Sequence, residues 1–292
     1  MKLIDSFMYF DEDLLLDIRL NILDKYVSKF IICEANYNHN GEPKKLKFDI
    51  QKFKKFKDKI IFLPLEQKPN NLVKIPKNSE IDIEIATLDN ALKRENFQRN
   101  HLSKGIEKFE EEDLICISDI DEIPNLDNFK YKNKITIFQH KMFHYKLNLE
   151  HPNFFWTGSK ICKKKHLISP QWLRNIKTKI YPLWRLDMLF SKKKYNNIDI
   201  VYNGGWHFTN IKTAEKIHHK MKNFLHHHEY QDSGLGVHDI EKKIKNRKVL
   251  YDYKADQRKD KWKSEIELKI FNIDNLPSYI KENRKKFIDW LE

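Results

Sequence analysis

The amino-acid sequence predicts an α/β fold with a Rossmann-like, mostly parallel central sheet flanked by helices. Residues 2–10 and 30–33 are apolar segments separated by an amphipathic helical segment, which is the pattern of a βαβ unit with parallel strands. Residues 59–64 predict a third short strand. Residues 114–117 are apolar without alternation, as expected of a central strand that is buried on both faces.

The other elements follow from the same patterns. The first helix is predicted to start at Asp11-Glu12-Asp13, because carboxylates cap a helix and stabilise its first turn. The later predictions are helices over residues 48–57, 82–105 and 213–230, strands over 135–138 and 143–147, loop-rich stretches over 67–80 and 151–187, and a charged, helical segment over 231–292.

Three carboxylates directly follow the buried strand. Asp119, Asp121 and Glu122 lie just before Pro124, which ends the segment because proline cannot donate to a strand ladder. Open α/β sheets bind ligands at the carboxyl ends of their strands. Neighbouring carboxylates repel unless a cation or a proton separates them. A divalent metal carrying phosphate oxygens would be such a cation; the alternative is an acidic turn that caps the next element.

Composition limits the class of protein. The chain has 292 residues, of which 40% are hydrophobic and 33% charged, so it is globular rather than disordered. Its net charge of +13 favours polyanionic partners such as phosphorylated substrates, nucleic acid or an anionic membrane. Cys33, Cys116 and Cys162 are far apart and predict buried free thiols.

No apolar run reaches the roughly 18 residues of a transmembrane helix. The N-terminus also lacks the pattern of a signal peptide. We therefore expect a soluble, cytoplasmic protein whose contact with an anionic membrane would be peripheral. We expect no binding to nucleic acid, since no nucleic-acid-binding motif accompanies the charge.

Seven motifs occur over roughly residues 3–230. They are Ile4-Asp5-Ser6-Phe7 with Asp11-Glu12, Asp17-Ile18-Arg19-Leu20, Phe30-Ile31-Ile32-Cys33-Glu34-Ala35-Asn36, Gly41-Glu42-Pro43-Lys44, Gln98-Arg99-Asn100, Ile117-Ser118-Asp119-Ile120-Asp121-Glu122-Ile123-Pro124 and Gly205-Trp206-His207-Phe208. In this order they resemble glycosyltransferase family 17, the β-1,4-mannosyl-glycoprotein N-acetylglucosaminyltransferases. The resemblance implies a GT-A fold, a UDP-sugar donor such as UDP-GlcNAc, a Mn²⁺ or Mg²⁺ ion, an inverting mechanism and a glycan or glycolipid acceptor.

The resemblance also implies a metal site. By similarity to GT-A enzymes, Asp121 is expected to bind the metal and Asp119 the metal or the donor ribose. His207 is expected to complete the metal ligands, since imidazole suits a borderline metal such as Mn²⁺; the alternative is a histidine that packs against Trp206.

Three further residues are expected to bind the donor. Glu34 would bond the uracil or the ribose, with a structural ion pair as the alternative. Lys44 and Arg99 would contact the diphosphate or the base, because ammonium and guanidinium groups suit phosphate oxygens. The alternative for Arg99 is a salt bridge on the helix surface.

An inverting mechanism needs a general base on the acceptor side. Asp187 is the preferred candidate, with Asp199 and Glu229 as alternatives. Neighbouring positions on a helix face different directions, so the three histidines at 226–228 predict a solvated helix face rather than one site. The tryptophans are expected either to stack on sugars or to fill the core: Trp156, Trp172, Trp184 and Trp206.

The predicted organisation is a catalytic domain over residues 1–230 and a C-terminal extension over 231–292. Within the first, residues 1–125 would bind the nucleotide sugar and residues 126–230 the acceptor. The sequence departs from the family at two points. It lacks the N-terminal membrane anchor of the animal members, and Glu229 lies one residue later than the corresponding glutamate. The rival functions are a metal-dependent phosphohydrolase and a non-catalytic nucleic-acid-binding protein.

Overall fold

The computed structural model describes residues 1–77, 79–179, 191, 193–223, 227–253 and 261–292. These residues form a mixed α/β structure in which a ten-stranded sheet is flanked by helices. The described strands are β1 (Leu3–Met8), β2 (Lys29–Ala35), β3 (Ile60–Leu65), β4 (Leu114–Ile117), β5 (Glu122–Pro124), β6 (Ile135–His144), β7 (Leu149–Lys163), β8 (Ile198–Val201), β9 (Gly205–Thr209) and β10 (Lys269–Ile270).

The described α-helices are α1 (Asp13–Leu23), α2 (Glu80–His101), α3 (Ser103–Ile106), α4 (Pro170–Asn175), α5 (Ala214–Asn223), α6 (His227–Asp232), α7 (Val237–Lys245) and α8 (Ser278–Glu282). Short 3₁₀ helices cover Ile50–Phe56, Lys164–His166, Lys261–Lys263, Ile273–Asn275 and Ile288–Trp290. None of the helices in the described ranges has the length and apolar character needed to cross a membrane.

The sheet is parallel in its first part and mixed in its second. Strands run in the order β3-β2-β1-β4-β7-β6-β9-β5, with β10 beside β7 and β8 beside β6. The first four are mutually parallel, as the βαβ pattern predicts. The pairs β4–β7, β6–β7 and β5–β9 are antiparallel. The pairs β6–β8 and β6–β9 are again parallel. The predicted mostly parallel sheet is therefore mixed in its second part, where the short β6–β7 connection allows only antiparallel pairing.

Strand β4 is buried on both faces, as its apolar run predicts. Leu114 and Cys116 pack into one hydrophobic layer, and Ile115 and Ile117 into the layer on the other side. The three cysteines are free and buried, which confirms the prediction for the thiols. Burying each leucine or isoleucine contributes about 1.5–3 kcal/mol, so this strand holds the following carboxylates at a fixed place in the sheet.

The largest departure from the predicted elements is β7. Its proline, glycine and tryptophan residues indicate a loop, yet it pairs with both β4 and β6. Shifts in the β6–β7 register and the left-handed backbone of Asn153 (φ 56°) accommodate the irregular residues. The predicted strand at 135–138 and the first two residues of the one at 143–147 belong to the single strand β6, whereas residues 145–147 form a turn. The predicted helix over 48–57 is a 3₁₀ helix.

The C-terminal residues pack onto the sheet. Strand β10 pairs with β7, and Leu276, Ile280 and Phe287 join the hydrophobic layer that contains Phe7 of β1. The segment contains 3₁₀ turns and a strand as well as α7 and α8. The division into a domain over 1–230 and an extension over 231–292 stays a prediction.

Candidate active site

The loop that joins β4 to β5 carries the three carboxylates; we call residues 118–122 the acid loop. Strand β5 pairs with β9, with Glu122 opposite His207, and the Phe208 amide donates to the Asp121 carbonyl at 2.8 Å. This pairing brings His207 Nε2 to 3.5 Å from Asp121 Oδ2. Strand pairing therefore unites Asp121 and His207, two of the three residues that the sequence predicts as metal ligands.

Arg19 of α1 holds the backbone of the acid loop. Its buried guanidinium donates to both Asp5 carboxylate oxygens at 2.7 and 2.6 Å and to Ser118 Oγ at 2.5 Å. Its Nη1 atom donates to three carbonyl oxygens of the loop, at 3.1, 3.2 and 2.7 Å, those of Asp119, Ile120 and Glu122. Because charge-assisted hydrogen bonds are short and directional, this side chain fixes the path of the loop.

Two more arginines hold the carboxylate of Asp119. Arg99 donates to its Oδ1 at 3.1 Å and Arg174 to its Oδ2 at 2.7 Å. Arg174 of α4 also donates to both oxygens of Glu122, at 2.8 and 2.6 Å. Burial acts to raise the pKa of Asp119, but Arg174 and Arg99 outweigh it and hold that pKa well below its usual range. Asp119 is therefore ionised at neutral pH, and each of its two carboxylate oxygens accepts from a guanidinium group.

The carboxylate of Asp121 is held differently. Burial again acts to raise its pKa, whereas His207 and then Lys220 lower it, and the net shift is downward. The Asp121 side chain is 14% exposed. Within the described part of the chain, the arginines that hold Asp119 do not contact the Asp121 carboxylate. Asp121 is therefore an ionised carboxylate that remains available to a ligand.

A cavity of about 430 Å³ opens over the acid loop, which is within the usual size range of ligand pockets. Asp119, Asp121 and Arg99 line it together with residues after β1 and β2, such as Phe10 and Asn38. Its far side is lined by aromatic rings from β7 and from the C-terminal residues. The acid loop thus lies in the floor of this cavity.

Two of the three further residues predicted to bind the donor line the cavity. Lys44 and Arg99 line the cavity, although Arg99 also pairs with Glu95 at 2.7 Å. Glu34 is fully buried and is not among the described lining residues. Its carboxylate accepts from the Lys44 ammonium and from the Lys47 and Phe48 amides, at 2.9–3.0 Å for the amides. Glu34 thereby fixes Lys44 at the cavity.

Two of the three candidate bases fall within the described residues. Asp187 lies outside the described residues. Glu229 of α6 pairs with Lys261, which lines the cavity, at 2.7 Å. Asp199 lies in β8 opposite Thr136 of β6.

The predicted histidine face and the tryptophans fall into several environments. His227 is buried and His228 lies 3.2 Å from Asp232, whereas residue 226 is outside the described part. Trp156 lines the cavity and Trp172 packs on Tyr195 in the core. Trp206 packs against the hydrophobic layer of β1, and Trp184 is outside the described residues.

Sequence reasoning missed Arg174 and the contact of Trp156 with the acid loop. Trp156 Nε1 donates to Glu122 Oε1 at 2.5 Å. Arg174 lies in a stretch without a recognised motif, so no sequence signal indicates its role. Arg19 carries a signal, the Asp17-Ile18-Arg19-Leu20 motif, but the motif alone gives no partner.

The comparisons with known proteins agree with the resemblance in the sequence. A search of the curated proteins found no match for this chain. The family model described as glycosyltransferase family 17 matches residues 1–291. The match extends through the acid loop, the paired strand β9 and the C-terminal residues that border the cavity. The chain therefore belongs to glycosyltransferase family 17.

Proposed function

We propose that this glycosyltransferase moves N-acetylglucosamine from UDP-GlcNAc to a hydroxyl of a glycan or glycolipid, with a Mn²⁺ or Mg²⁺ ion and inversion at the anomeric carbon. The observation that carries the proposal is the contact between Asp121, which lines the cavity, and His207, whose Nε2 lies 3.5 Å from Asp121 Oδ2. Neither rival function, a phosphohydrolase or a nucleic-acid-binding protein, gains an observation in its favour.

The side chains at this place fit a divalent metal that is shared with the substrate. Asp121 offers a carboxylate oxygen and His207 an imidazole nitrogen on the same side. Within the described ranges no three ligating side chains converge on one point. A metal here would thus have two protein ligands and fill its other positions with donor phosphates and water, as Mg²⁺ commonly does. The ion would supply Lewis-acid stabilisation of the diphosphate leaving group.

The donor would lie over the carboxyl ends of β1 and β2. Lys44 and Arg99 provide positive charge at the cavity for the phosphates. Asn38 is buried, and its Oδ1 has no hydrogen-bond partner within the described part of the chain. A buried acceptor of this kind is costly unless a ligand satisfies it. Asn38 could accept a hydrogen bond from the donor's base, while Glu34 would act indirectly by holding Lys44.

The transfer step needs a base. The acceptor oxygen forms the new bond to the anomeric carbon, the bond from that carbon to the phosphate oxygen breaks, and its electron pair leaves with UDP. The hydroxyl proton passes to a carboxylate on the acceptor side. Asp187 remains our candidate for this carboxylate, with Glu229 as the alternative because its partner Lys261 borders the cavity.

The charge of the chain suits these partners. A net charge of +13 attracts the anionic donor and would also favour a peripheral contact with an anionic membrane, where a glycolipid acceptor would be presented. A cytoplasmic location remains part of this proposal. Flotation with anionic vesicles tests the membrane contact, and an absence of binding would count against it.

Thermal unfolding with UDP-GlcNAc, with and without Mn²⁺, tests the donor and the metal. Wild type should be stabilised by about 2.7 kcal/mol at a ligand concentration 100 times Kd. Asp121→Asn should lose the Mn²⁺-dependent part of this shift. Asp127→Asn is the matched control, since Asp127 is 61% exposed and pairs with Lys25. An unchanged Mn²⁺-dependent shift in Asp121→Asn would overturn the metal assignment. The anomeric configuration of the product tests inversion, because an α-linked product from the α-linked donor would overturn it.

A further inference from the structure

A row of aromatic rings leads away from the candidate metal ligands. The ring of His207 lies 5.4 Å from that of Trp156, and Trp156 lies 6.5 Å from Tyr253. Tyr251 follows at 4.4 Å from Tyr253, and Trp262 at 5.0 Å from Tyr251. Trp156, Tyr253, Tyr251 and Trp262, which we call the aromatic row, all line the cavity.

The rings are fixed before any ligand binds. The indole of Trp156 is hydrogen-bonded to Glu122 at 2.5 Å, which ties the near end of the row to the acid loop. At the far end, Trp262 packs on Tyr230 with ring centroids 5.3 Å apart. The ammonium of Lys261 lies over both Tyr251 and Trp262, at 5.5 and 5.7 Å from the ring centroids. A preformed surface loses little conformational entropy on binding.

The chemistry of the lining indicates what the row would bind. Among the described lining residues, Met8 and Ile120 are the aliphatic ones, and the remainder are aromatic, polar or charged. An acyl or polyprenyl chain would favour an aliphatic surface. A saccharide has apolar C–H faces that pack on rings and a rim of hydroxyls that hydrogen-bond to polar tips, and the row combines both kinds of group. Lys220 supplies a further polar group at the same cavity.

We propose that the aromatic row is the acceptor subsite and binds an oligosaccharide of more than one sugar ring. The inference rests on the proposed transfer from a nucleotide sugar, because it places the acceptor opposite the donor. The sugar that carries the attacking hydroxyl lies at Trp156, next to Asp121 and His207. The following sugars lie on Tyr253, Tyr251 and Trp262, and the donor nucleotide occupies the opposite side, near Phe10 and Asn38.

The test is a glycan array probed with labelled protein in the presence of UDP and Mn²⁺, followed by titration of the oligosaccharide with the strongest signal. Tyr251→Leu keeps an apolar side chain but removes the ring face. It should weaken oligosaccharide binding by about 2- to 12-fold, the factor expected for one aromatic contact. Tyr202→Leu is the matched control, because Tyr202 is 68% exposed and outside the cavity lining; it should bind as wild type does.

Calorimetry with UDP and Mn²⁺ separates this inference from the proposed function. Normal UDP binding with no glycan bound by wild type, or with equal glycan affinity in wild type and Tyr251→Leu, would overturn the acceptor subsite alone. Binding to vesicles that contain a polyprenyl phosphate, lost in Tyr251→Leu without any glycan binding, would also overturn it in favour of a lipid chain. A wild type that binds glycans through Tyr251 but not UDP would support the subsite and overturn the donor proposal.

Discussion

The acid loop and the aromatic row border the same cavity but are held in place by different forces. Arginine side chains hold the acid loop through hydrogen bonds at 2.5–3.2 Å, and the Arg19–Asp5 pair has almost no contact with solvent. The row is held by ring packing at 4.4–6.5 Å and by the Lys261–Glu229 pair, whose carboxylate side is 30% exposed. Charged hydrogen bonds fix atoms in position, whereas ring packing depends weakly on direction. The acid loop is therefore held atom by atom, whereas the preformed aromatic row would tolerate exchange of one ring for another, which would change the proposed acceptor preference.

Arg19→Met should have the largest effect of the variants considered. It leaves the buried Asp5 without its cation, and removing one partner of a buried pair costs about 3–5 kcal/mol. Unfolding in guanidinium chloride measures this loss. The control Lys25→Met removes an exposed cation, 67% accessible, and should cost about 0–1 kcal/mol. Equal losses in the two variants would show that charge burial does not hold the acid loop.

Arg174→Lys should have the second-largest effect, which is on Mn²⁺-dependent UDP binding. Lysine keeps the charge but lacks the planar fork that spans Asp119 and Glu122. Arg174 fixes the acid loop on both sides of Asp121, the proposed metal ligand. Changing a group that supports a metal ligand typically costs about 10- to 100-fold in metal affinity or activity, and we expect a loss in that range in Mn²⁺-dependent UDP binding. Arg247→Lys, at an exposed pair with Glu292, serves as the control. Wild-type UDP binding by Arg174→Lys would contradict a supporting role.

Lys160, which lies beside Arg174, makes the free energy of unfolding depend on pH. Burial, and next the charge of Arg174, lowers the pKa of Lys160 to about 7, while its ammonium donates to the Arg174 and Ile176 carbonyls. The unfolded value is about 10.4. Between these values the unfolded chain binds more protons than the folded chain. The stability that Lys160 contributes therefore rises with pH, by up to about 1.4 kcal/mol per unit, and is lost as pH falls to about 7.

Unfolding free energies of wild type and Lys160→Met, measured from about pH 6 to about pH 10, test this dependence. The difference between the two proteins should be flat below the folded pKa and should then shift in favour of wild type as pH rises. A difference that stays constant over the whole range would show that Lys160 is protonated equally in both states.

Lys261→Met should have the smallest effect on stability. The Glu229 carboxylate that it leaves behind is 30% exposed and can be hydrated, so we expect a loss of about 1 kcal/mol or less. The measurement uses the same denaturant series as Arg19→Met. A loss as large as that of Arg19→Met would remove the contrast between the charged acid loop and the packed aromatic row.

The first half of the fold could be predicted because its signals are local. Alternation and apolar runs place β1, β2 and β4, and parallel pairing follows from the helix between the strands. Strand β7 could not be predicted in this way, since Pro152, Asn153 and Gly158 imitate a loop. Gly158 is required where the chain passes the acid loop, because a Cβ there would lie 2.4 Å from the Glu122 carboxyl carbon.

The same limit separates the residues of the candidate site. The sequence by itself determined that Asp119 and Asp121 end a buried strand, and the family motifs selected His207, because these signals lie in contiguous residues. Only the tertiary structure decided that Arg19 and Arg174 hold the acid loop and that Tyr251 and Trp262 reach the cavity. Such contacts join residues far apart in sequence. They are set by strand pairing and by the need to give every buried charge a partner, and no local pattern records either.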